Sequence, residues 1–123
     1  MSEERQKLVY VLHDGGDKAE KVLTALALAN IGVSMESDVT IMLFGEATRL
    51  AYKGYGETVH SIERLPMSKL MADFISNGGK VMICGPCIKA RQVTSDQLIE
   101  GVETTSGTVV NDLFHEADKV IGW

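Results

Sequence analysis

Short apolar runs rich in β-branched residues alternate along this chain with stretches of helical spacing, and this alternation most constrains the fold. The first run, 7–13, stops at the turn sequence Asp14-Gly15-Gly16 and is predicted to be a buried strand. Further strands are predicted at 38–44, 80–84, 101–104 and 119–123. Such runs lack clean polar alternation, which is typical of strands covered on both faces.

The segments between these runs carry helical signals. A helix is predicted over 18–31, with Asp17 as its N-cap and Glu20 completing a capping box. Another begins with Pro66 and stops at Gly78, because apolar residues recur there with helical spacing. Shorter helices are predicted at 46–52, 86–91, 95–98 and from about 107. Residues 53–65 show no regular period and are predicted to form a long surface loop.

Strands that alternate with helices over the whole length predict a parallel sheet with right-handed crossovers. We therefore expect an α/β fold with three layers, α/β/α, around a mainly parallel sheet of about five strands. The chain has 123 residues, 45% of them hydrophobic, and shows neither an internal repeat nor a linker. A single domain over 1–123 is the expected organisation.

Charge and composition exclude several classes of function. The formal net charge of −5 argues against binding that neutralises many phosphates, so neither nucleic acid nor an anionic membrane is an expected partner. The chain contains no apolar run near the ~20 residues of a membrane span, and residues 1–7 do not resemble a signal peptide. A cytoplasmic protein is expected. Gly15-Gly16 lacks the G-x-G-x-x-G spacing, and no cofactor is expected.

The two cysteines, Cys84 and Cys87, lie at the junction between a predicted strand and a predicted helix. In parallel sheets the functional crevice lies outside the carboxyl ends of the strands, which places Cys84 where chemistry is usual. The amides at the start of the following helix favour thiolate over thiol. Gly85, followed by proline, lets the backbone turn sharply so that both sulfur atoms can approach each other.

Four further residues are candidates for supporting this cysteine pair. Lys89 and Arg91 would favour the thiolate and attract an anionic sulfur donor if they face it. His13 and Asp14 end the first predicted strand, so they belong to the same edge of the sheet. His13 could act as a base or orient a ligand there.

Three other interpretations of the cysteine pair remain open at this point. Both cysteines could be small buried residues without a chemical role. A zinc site would need four ligands, and one C-x-x-C supplies two, with only His13, His60 and His115 left to complete it. Cys-Gly-Pro-Cys also occurs in thioredoxins, where a downstream cis-proline faces the cysteines. This chain has no proline after Pro86, so a thioredoxin fold is not expected. Dithiol redox chemistry on another fold stays open.

The string ICGPCIKAR at 83–91, following a strand, resembles the DsrE/DsrF-like family, and the resemblance extends over nearly the whole chain. The turn at 14–16, the alanine-rich helix after it, the strand at 39–44 with Gly45, the Gly-Gly at 78–79 and the closing ADKV at 117–120 support it. Many relatives have glycine after the arginine, where this chain has Gln92.

The resemblance implies a small sulfur-handling α/β protein that assembles into homo-oligomers, trimers or hexamers. Cys84 then matches the family cysteine that carries a persulfide, and Cys87 matches an additional cysteine of YchN-like members. Donor and acceptor proteins of a sulfur relay are the implied partners. Whether the chain is a sulfurtransferase, a dithiol redox protein or peroxide sensor, or a non-catalytic interaction protein stays open, because C-x-x-C spacing alone does not decide.

Overall fold

The computed structural model describes residues 5–60 and 66–123, and in them five parallel strands form one sheet. The strands are β1 (Lys7–Leu12), β2 (Asp38–Leu43), β3 (Lys80–Cys84), β4 (Val102–Thr105) and β5 (Lys119–Gly122). Their spatial order is β4-β3-β2-β1-β5, and every neighbouring pair is parallel. The predicted α/β fold with a parallel five-stranded sheet is confirmed.

The described helices follow the predicted order with shifted ends. They are α1 (Ala19–Ser34), α2 (Met67–Ser76), α3 (Gly85–Ala90) and α4 (Gly107–Glu116). The segments predicted at 46–52 and 95–98 are 3₁₀ turns, Gly45–Ala51 and Ser95–Gln97. The predicted loop contains a further 3₁₀ turn, Gly56–Thr58, and its residues 61–65 lie outside the described part of the chain.

Strand order explains why the two faces of the sheet are covered unequally. The chain moves in one direction from β1 to β4, so right-handed crossovers place α1 and α2 on the same face. It then returns past β1 to form β5, which places α4 on the opposite face. The carboxyl ends of β2 and β3 are direct neighbours, and these two ends carry the cysteine site.

The main apolar core lies between the sheet and the first two helices. Its fully buried side chains include Leu26 of α1, Phe74 of α2, Ile41 of β2 and Ile83 of β3. A smaller cluster under α4 contains Val9, Val11, Met42 and Val110. Cys84 and Phe44 pack against this smaller cluster, so the cysteine belongs to the α4 side of the sheet.

The predicted starts of α1 and α2 differ from those in the structure. Asp17 does not cap α1, because residues 16–18 form a 3₁₀ turn and Lys18 occupies the N-cap without a side-chain hydrogen bond. Pro66 is the N-cap of α2 and not its first residue. The turn at Ser95–Gln97 is capped by Thr94, whose backbone N–H donates a hydrogen bond to the Gln97 side chain at 2.9 Å.

Within residues 5–60 and 66–123, the structure has no helix that combines the length and the apolar character needed to cross a membrane.

Candidate functional site

Cys84 ends β3 and is also the N-cap of α3. Its Sγ accepts a hydrogen bond from the backbone N–H of Cys87 at 3.3 Å, as an N-cap side chain does for the third residue of a helix. The two cysteines are joined as a disulfide with a Cα–Cα distance of 5.2 Å. Both side chains are half-buried, which leaves the pair accessible from the edge of the sheet.

Gly85 makes the turn between the two cysteines possible. A Cβ at this position would lie 2.9 Å from the backbone oxygen of Thr105 in the neighbouring strand β4. Real Cβ atoms do not approach a backbone oxygen so closely, so only glycine lets α3 start against β4. Pro86 follows inside the first turn, where its fixed φ suits the helix start.

Gly45 is the second backbone element of the site. It follows β2 with a φ of +52°, in the left-handed region, and its N–H donates a hydrogen bond to the Sγ of Cys87 at 3.4 Å. The buried Thr48 hydroxyl donates to the Gly45 carbonyl at 2.8 Å, which holds this turn from the other side. Each sulfur therefore faces one backbone N–H, supplied by a different turn.

This geometry has a chemical consequence once the disulfide is reduced. A thiolate accepts a stronger hydrogen bond than a thiol or a disulfide sulfur, because the acceptor is charged. Each N–H therefore stabilises negative charge on the sulfur that it faces, so whichever cysteine is the thiolate has a hydrogen-bond donor in place. The arrangement supports nucleophilic sulfur chemistry at a half-buried edge.

Arg91 follows α3 and links it to the turn after β2. Its Nε and Nη2 donate to Oε2 of Glu46 at 3.2 and 2.9 Å, and its Nη1 donates to the Cys87 carbonyl at 3.2 Å. The pKa of Glu46 is lowered, first because Arg91 donates hydrogen bonds to the carboxylate and further through the charge of Arg49. Lys89, the other predicted cation, is exposed in the last turn of α3.

His13 and Asp14 follow β1 as predicted but point into different surroundings. The exposed His13 ring stacks on Phe44 with centroids 5.4 Å apart, and Phe44 packs in the same cluster as Cys84. Asp14 forms an ion pair with Lys21 of α1 at 2.7 Å. That hydrogen bond lowers the pKa of Asp14. The structure thus brings Cys84, Cys87, Gly85 and Arg91 together and leaves Asp14 engaged with α1.

Metal ligands do not gather at this site in the described residues. In residues 5–60 and 66–123, no three or more His, Cys, Asp or Glu side chains lie close enough together to hold a metal ion.

A cavity of about 730 Å³ lies elsewhere in the described structure. Its lining is mainly apolar and includes Leu50, Met67, Met71, Ile75 and Ile99, and it contains neither cysteine. The cysteine pair is consequently an edge site outside this cavity.

Sequence reasoning missed three residues of the site. The sequence pattern predicts only the end of a strand at Gly45 and a short helix over Glu46 and Thr48, with no role for these residues in the site. The signal for Gly45 was available, since a glycine directly after a buried strand often marks a left-handed turn. The Glu46 to Arg91 contact spans 45 residues, so no local pattern could reveal it.

Comparison with known proteins identifies relatives of the whole domain. A model of the DsrE/DsrF-like family matches residues 6–123. Uncharacterized protein MK0008 of Methanopyrus kandleri is 32% identical over 104 residues, covering 83% of this chain and 81% of that protein. Uncharacterized protein MJ0760 of Methanocaldococcus jannaschii is 28% identical over 72% of this chain, which corresponds to 32% of its own length.

Solved structures show the same fold. The crystal structure of the YchN protein from E. coli matches with a TM-score of 0.82 and 22% identity, covering 96% of this chain and 99% of that one. MTH1491 from Methanobacterium thermoautotrophicum, a protein of unknown function, matches with a TM-score of 0.70 and 14% identity, covering 98% and 100%. At these identities the likeness concerns the fold alone.

Proposed function

Because this chain belongs to the DsrE/DsrF-like family, we propose that it is a persulfide carrier in a sulfur relay. In this proposal Cys84 accepts sulfane sulfur and passes it to the thiol of a partner protein. The observation that carries the proposal is the N-cap position of Cys84, where its sulfur accepts the Cys87 N–H at 3.3 Å at the accessible edge of a parallel sheet.

Sulfur loading is a displacement at a sulfane sulfur. The Cys84 thiolate attacks the outer sulfur of a donor persulfide, the Cys84 Sγ–S bond forms, and the donor S–S bond breaks. The donor leaves as a thiolate that takes both electrons of the broken bond, so no external oxidant is needed. Before the attack, the Cys87 N–H stabilises the negative charge of the Cys84 thiolate.

Sulfur release repeats the same chemistry with a new nucleophile. A thiolate of the acceptor attacks the outer sulfur of the Cys84 persulfide, takes that sulfur, and returns Cys84 as a thiolate. The acceptor thiol has to reach Cys84 at an edge where the Cys84 side chain is half-buried, which suits the thiol of a partner protein. Gly85 and the turn at Gly45 shape this edge, and His13 stacked on Phe44 forms part of its rim.

Cys87 offers an internal exit from the persulfide. If its thiolate attacks Cys84 Sγ, the Cys84–Cys87 disulfide forms and the outer sulfur leaves as hydrosulfide. The two cysteines lose two electrons and the sulfane sulfur gains them, so the step is balanced. The disulfide in the structure is the product that this step would give.

The same disulfide favours a second candidate function, a dithiol redox protein. A peroxide sensor would reach the disulfide through a Cys84 sulfenic acid that condenses with Cys87. Both chemistries use the same residues and differ in what reacts with Cys84. Sulfur transfer is preferred here because the family membership favours it.

We also propose that the chain works as a homo-oligomer, a trimer or hexamer, in the cytoplasm. The family membership supports the oligomer, and the net charge of −5 argues against nucleic acid or anionic membranes as partners. Size-exclusion chromatography with light scattering tests the oligomer directly.

Lys89, exposed beside the site, is proposed to attract an anionic donor such as a polysulfide.

A loading assay tests the sulfur-transfer proposal. The protein is reduced, freed of reductant, exposed briefly to polysulfide and measured by intact mass. We expect one added sulfur in the wild type and in Cys87→Ser, and none in Cys84→Ser. Loss of only two hydrogens from the wild type, with no added sulfur in either variant, would instead support the dithiol redox function.

A further inference from the structure

We infer that Glu46 and Arg91 form a positioning pair that holds the sulfur of Cys87 against the N–H of Gly45. The pair keeps Cys87 beside Cys84 as a thiolate and so sets the rate at which Cys87 releases sulfur from the Cys84 persulfide. The predicted effect on sulfur release rests on the proposed function, whereas the predicted effect on the Cys87 thiol does not depend on that function.

The three donors of the Arg91 guanidinium bridge two backbone segments. Nη1 donates to the carbonyl of Cys87 itself, while Nε and Nη2 donate to Glu46 at 3.2 and 2.9 Å. Glu46 is the chain neighbour of Gly45, whose N–H donates to Cys87 Sγ. The guanidinium therefore links Cys87 to the turn whose Gly45 N–H donates a hydrogen bond to the Cys87 sulfur.

A second arginine on the same carboxylate provides an internal comparison. Arg49 forms an ion pair with the same carboxylate, its Nε lying 3.0 Å from Oε1 of Glu46, three residues away within the same 3₁₀ turn. Its ion pair with Glu46 stays inside that turn, whereas the Arg91 contact crosses to α3. The two arginines share Glu46 as a partner, but Arg91 connects it to α3 and Arg49 does not.

This pair is suited to positioning more than to global stability. The side chains of Arg91 and Glu46 are 33% and 49% exposed, and exposed ion pairs contribute little to the free energy of unfolding. The Gly45 N–H lies 3.4 Å from Cys87 Sγ, an ordinary length for a sulfur acceptor, and an outward shift of α3 would lengthen this contact. Loss of the pair should thus change the sulfur chemistry before it changes the fold.

The chemical effect is on the protonation of Cys87. With the Gly45 N–H in place the thiolate is favoured, and the internal attack on Cys84 Sγ proceeds near neutral pH. Without it more of Cys87 is a neutral thiol, which is a poor nucleophile. The persulfide on Cys84 then lasts longer, and the hydrosulfide leaves more slowly.

The first test isolates Cys87 in the Cys84→Ser background and measures its alkylation by iodoacetamide as a function of pH. Arg91→Lys keeps the positive charge but loses the fork that reaches Glu46 and Cys87 together. We expect this change to raise the apparent pKa of Cys87 and to slow alkylation near neutral pH by about three- to tenfold, the worth of one modest hydrogen bond. The matched control Arg49→Lys should leave both unchanged.

Glu46→Gln separates positioning from a simple charge effect. Removing a negative charge near a thiol lowers its pKa through space, whereas releasing α3 raises it because the Gly45 contact is lost. A raised Cys87 pKa in Glu46→Gln supports the positioning pair. A lowered pKa, or equal effects of Arg91→Lys and Arg49→Lys, would overturn it, and unfolding midpoints of all variants identify any that lose the fold.

The second readout is hydrosulfide release from the preloaded Cys84 persulfide in otherwise wild-type protein. Arg91→Lys is expected to slow this release about three- to tenfold, and Arg49→Lys to leave it at the wild-type rate. Equal release rates in wild type and Arg91→Lys would overturn the inferred control of release. A wild-type protein that never loads sulfur would contradict the proposed function instead, while the alkylation test on Cys87 would still decide the positioning pair.

Discussion

The backbone N–H of Gly45 lies 3.4 Å from the Sγ of Cys87 and donates a hydrogen bond to it, across 42 residues of sequence. The contact exists because β2 and β3 are neighbours with parallel register, so the turn after one strand meets the first turn of the helix after the other. One of the two sulfur atoms thus depends on the backbone of a separate turn for its chemical environment.

Gly85→Ala tests whether the close approach to β4 builds the cysteine turn. The new Cβ would lie 2.9 Å from the Thr105 carbonyl oxygen, so the backbone must shift. We expect the free energy of unfolding to fall by about 1–3 kcal/mol, as for other overpacked sites. Gly107→Ala, at the start of α4 with open space around it, is the matched control and should be neutral or stabilising by up to about 1 kcal/mol. Similar urea midpoints for both variants would refute the prediction.

Gln92→Gly tests the strain at the end of α3. Gln92 has a φ of +58°, a left-handed conformation that costs a non-glycine residue roughly 1–2 kcal/mol. Glycine removes this cost but has more freedom in the unfolded chain, so the net gain in unfolding free energy should be up to about 1 kcal/mol. Gln92→Ala keeps the strain and should show no gain. The prediction fails if glycine and alanine give the same midpoint in chemical denaturation.

The titration of Glu46 should report its partner. Its pKa lies below the ordinary value of 4.5, so the favourable interaction is complete above that value and is lost as the pH falls through the lowered pKa. In Arg91→Lys the two guanidinium hydrogen bonds to Oε2 of Glu46 are lost, and we expect the Glu46 pKa to rise toward 4.5. Side-chain NMR titration of Glu46 measures the change, with Asp14 as the reference because its partner is Lys21. A Glu46 pKa that does not move would show that Arg91 is not its main partner.

Tyr55→Phe tests the link between the loop after the second strand and the first turn. The Tyr55 hydroxyl accepts the N–H of Gly16 at 2.7 Å in a partly buried position. Phenylalanine leaves that N–H without its acceptor, which should cost about 1–2 kcal/mol of unfolding free energy. Thermal or chemical unfolding measures the loss, and a cost near zero would mean that water replaces the hydroxyl.

The fold was predictable from sequence because its signals are local. The strand ending at Cys84 and the helix starting around Pro86 follow from apolar runs, a proline and a glycine, and the structure confirms them within a residue or two. The all-parallel sheet follows from the alternation of the two kinds of element. The prediction that Asp17 caps α1 is wrong because a 3₁₀ turn, Gly16–Lys18, precedes the helix. Local residue preferences do not determine whether such a turn forms.

The polar part of the site was less predictable, since it depends on which turns meet. The sequence predicts that Arg91 favours the thiolate only if it faces the sulfur atoms, and it does not show that Arg91 reaches the Cys87 carbonyl and a carboxylate on another turn. Gln92 occupies a left-handed position, the backbone conformation that glycine adopts most readily. Such contacts arise from the packing of distant segments and leave no periodic trace in the sequence.

The central claim is that Cys84 carries sulfane sulfur, and the most direct measurement is a peptide map of reduced Cys87→Ser after brief exposure to polysulfide. With Cys87 removed, the persulfide has no internal exit and should persist. The account predicts one added sulfur on the peptide that contains Cys84, absent from Cys84→Ser treated in parallel. An unmodified Cys84 peptide in a folded, reduced protein would contradict the account.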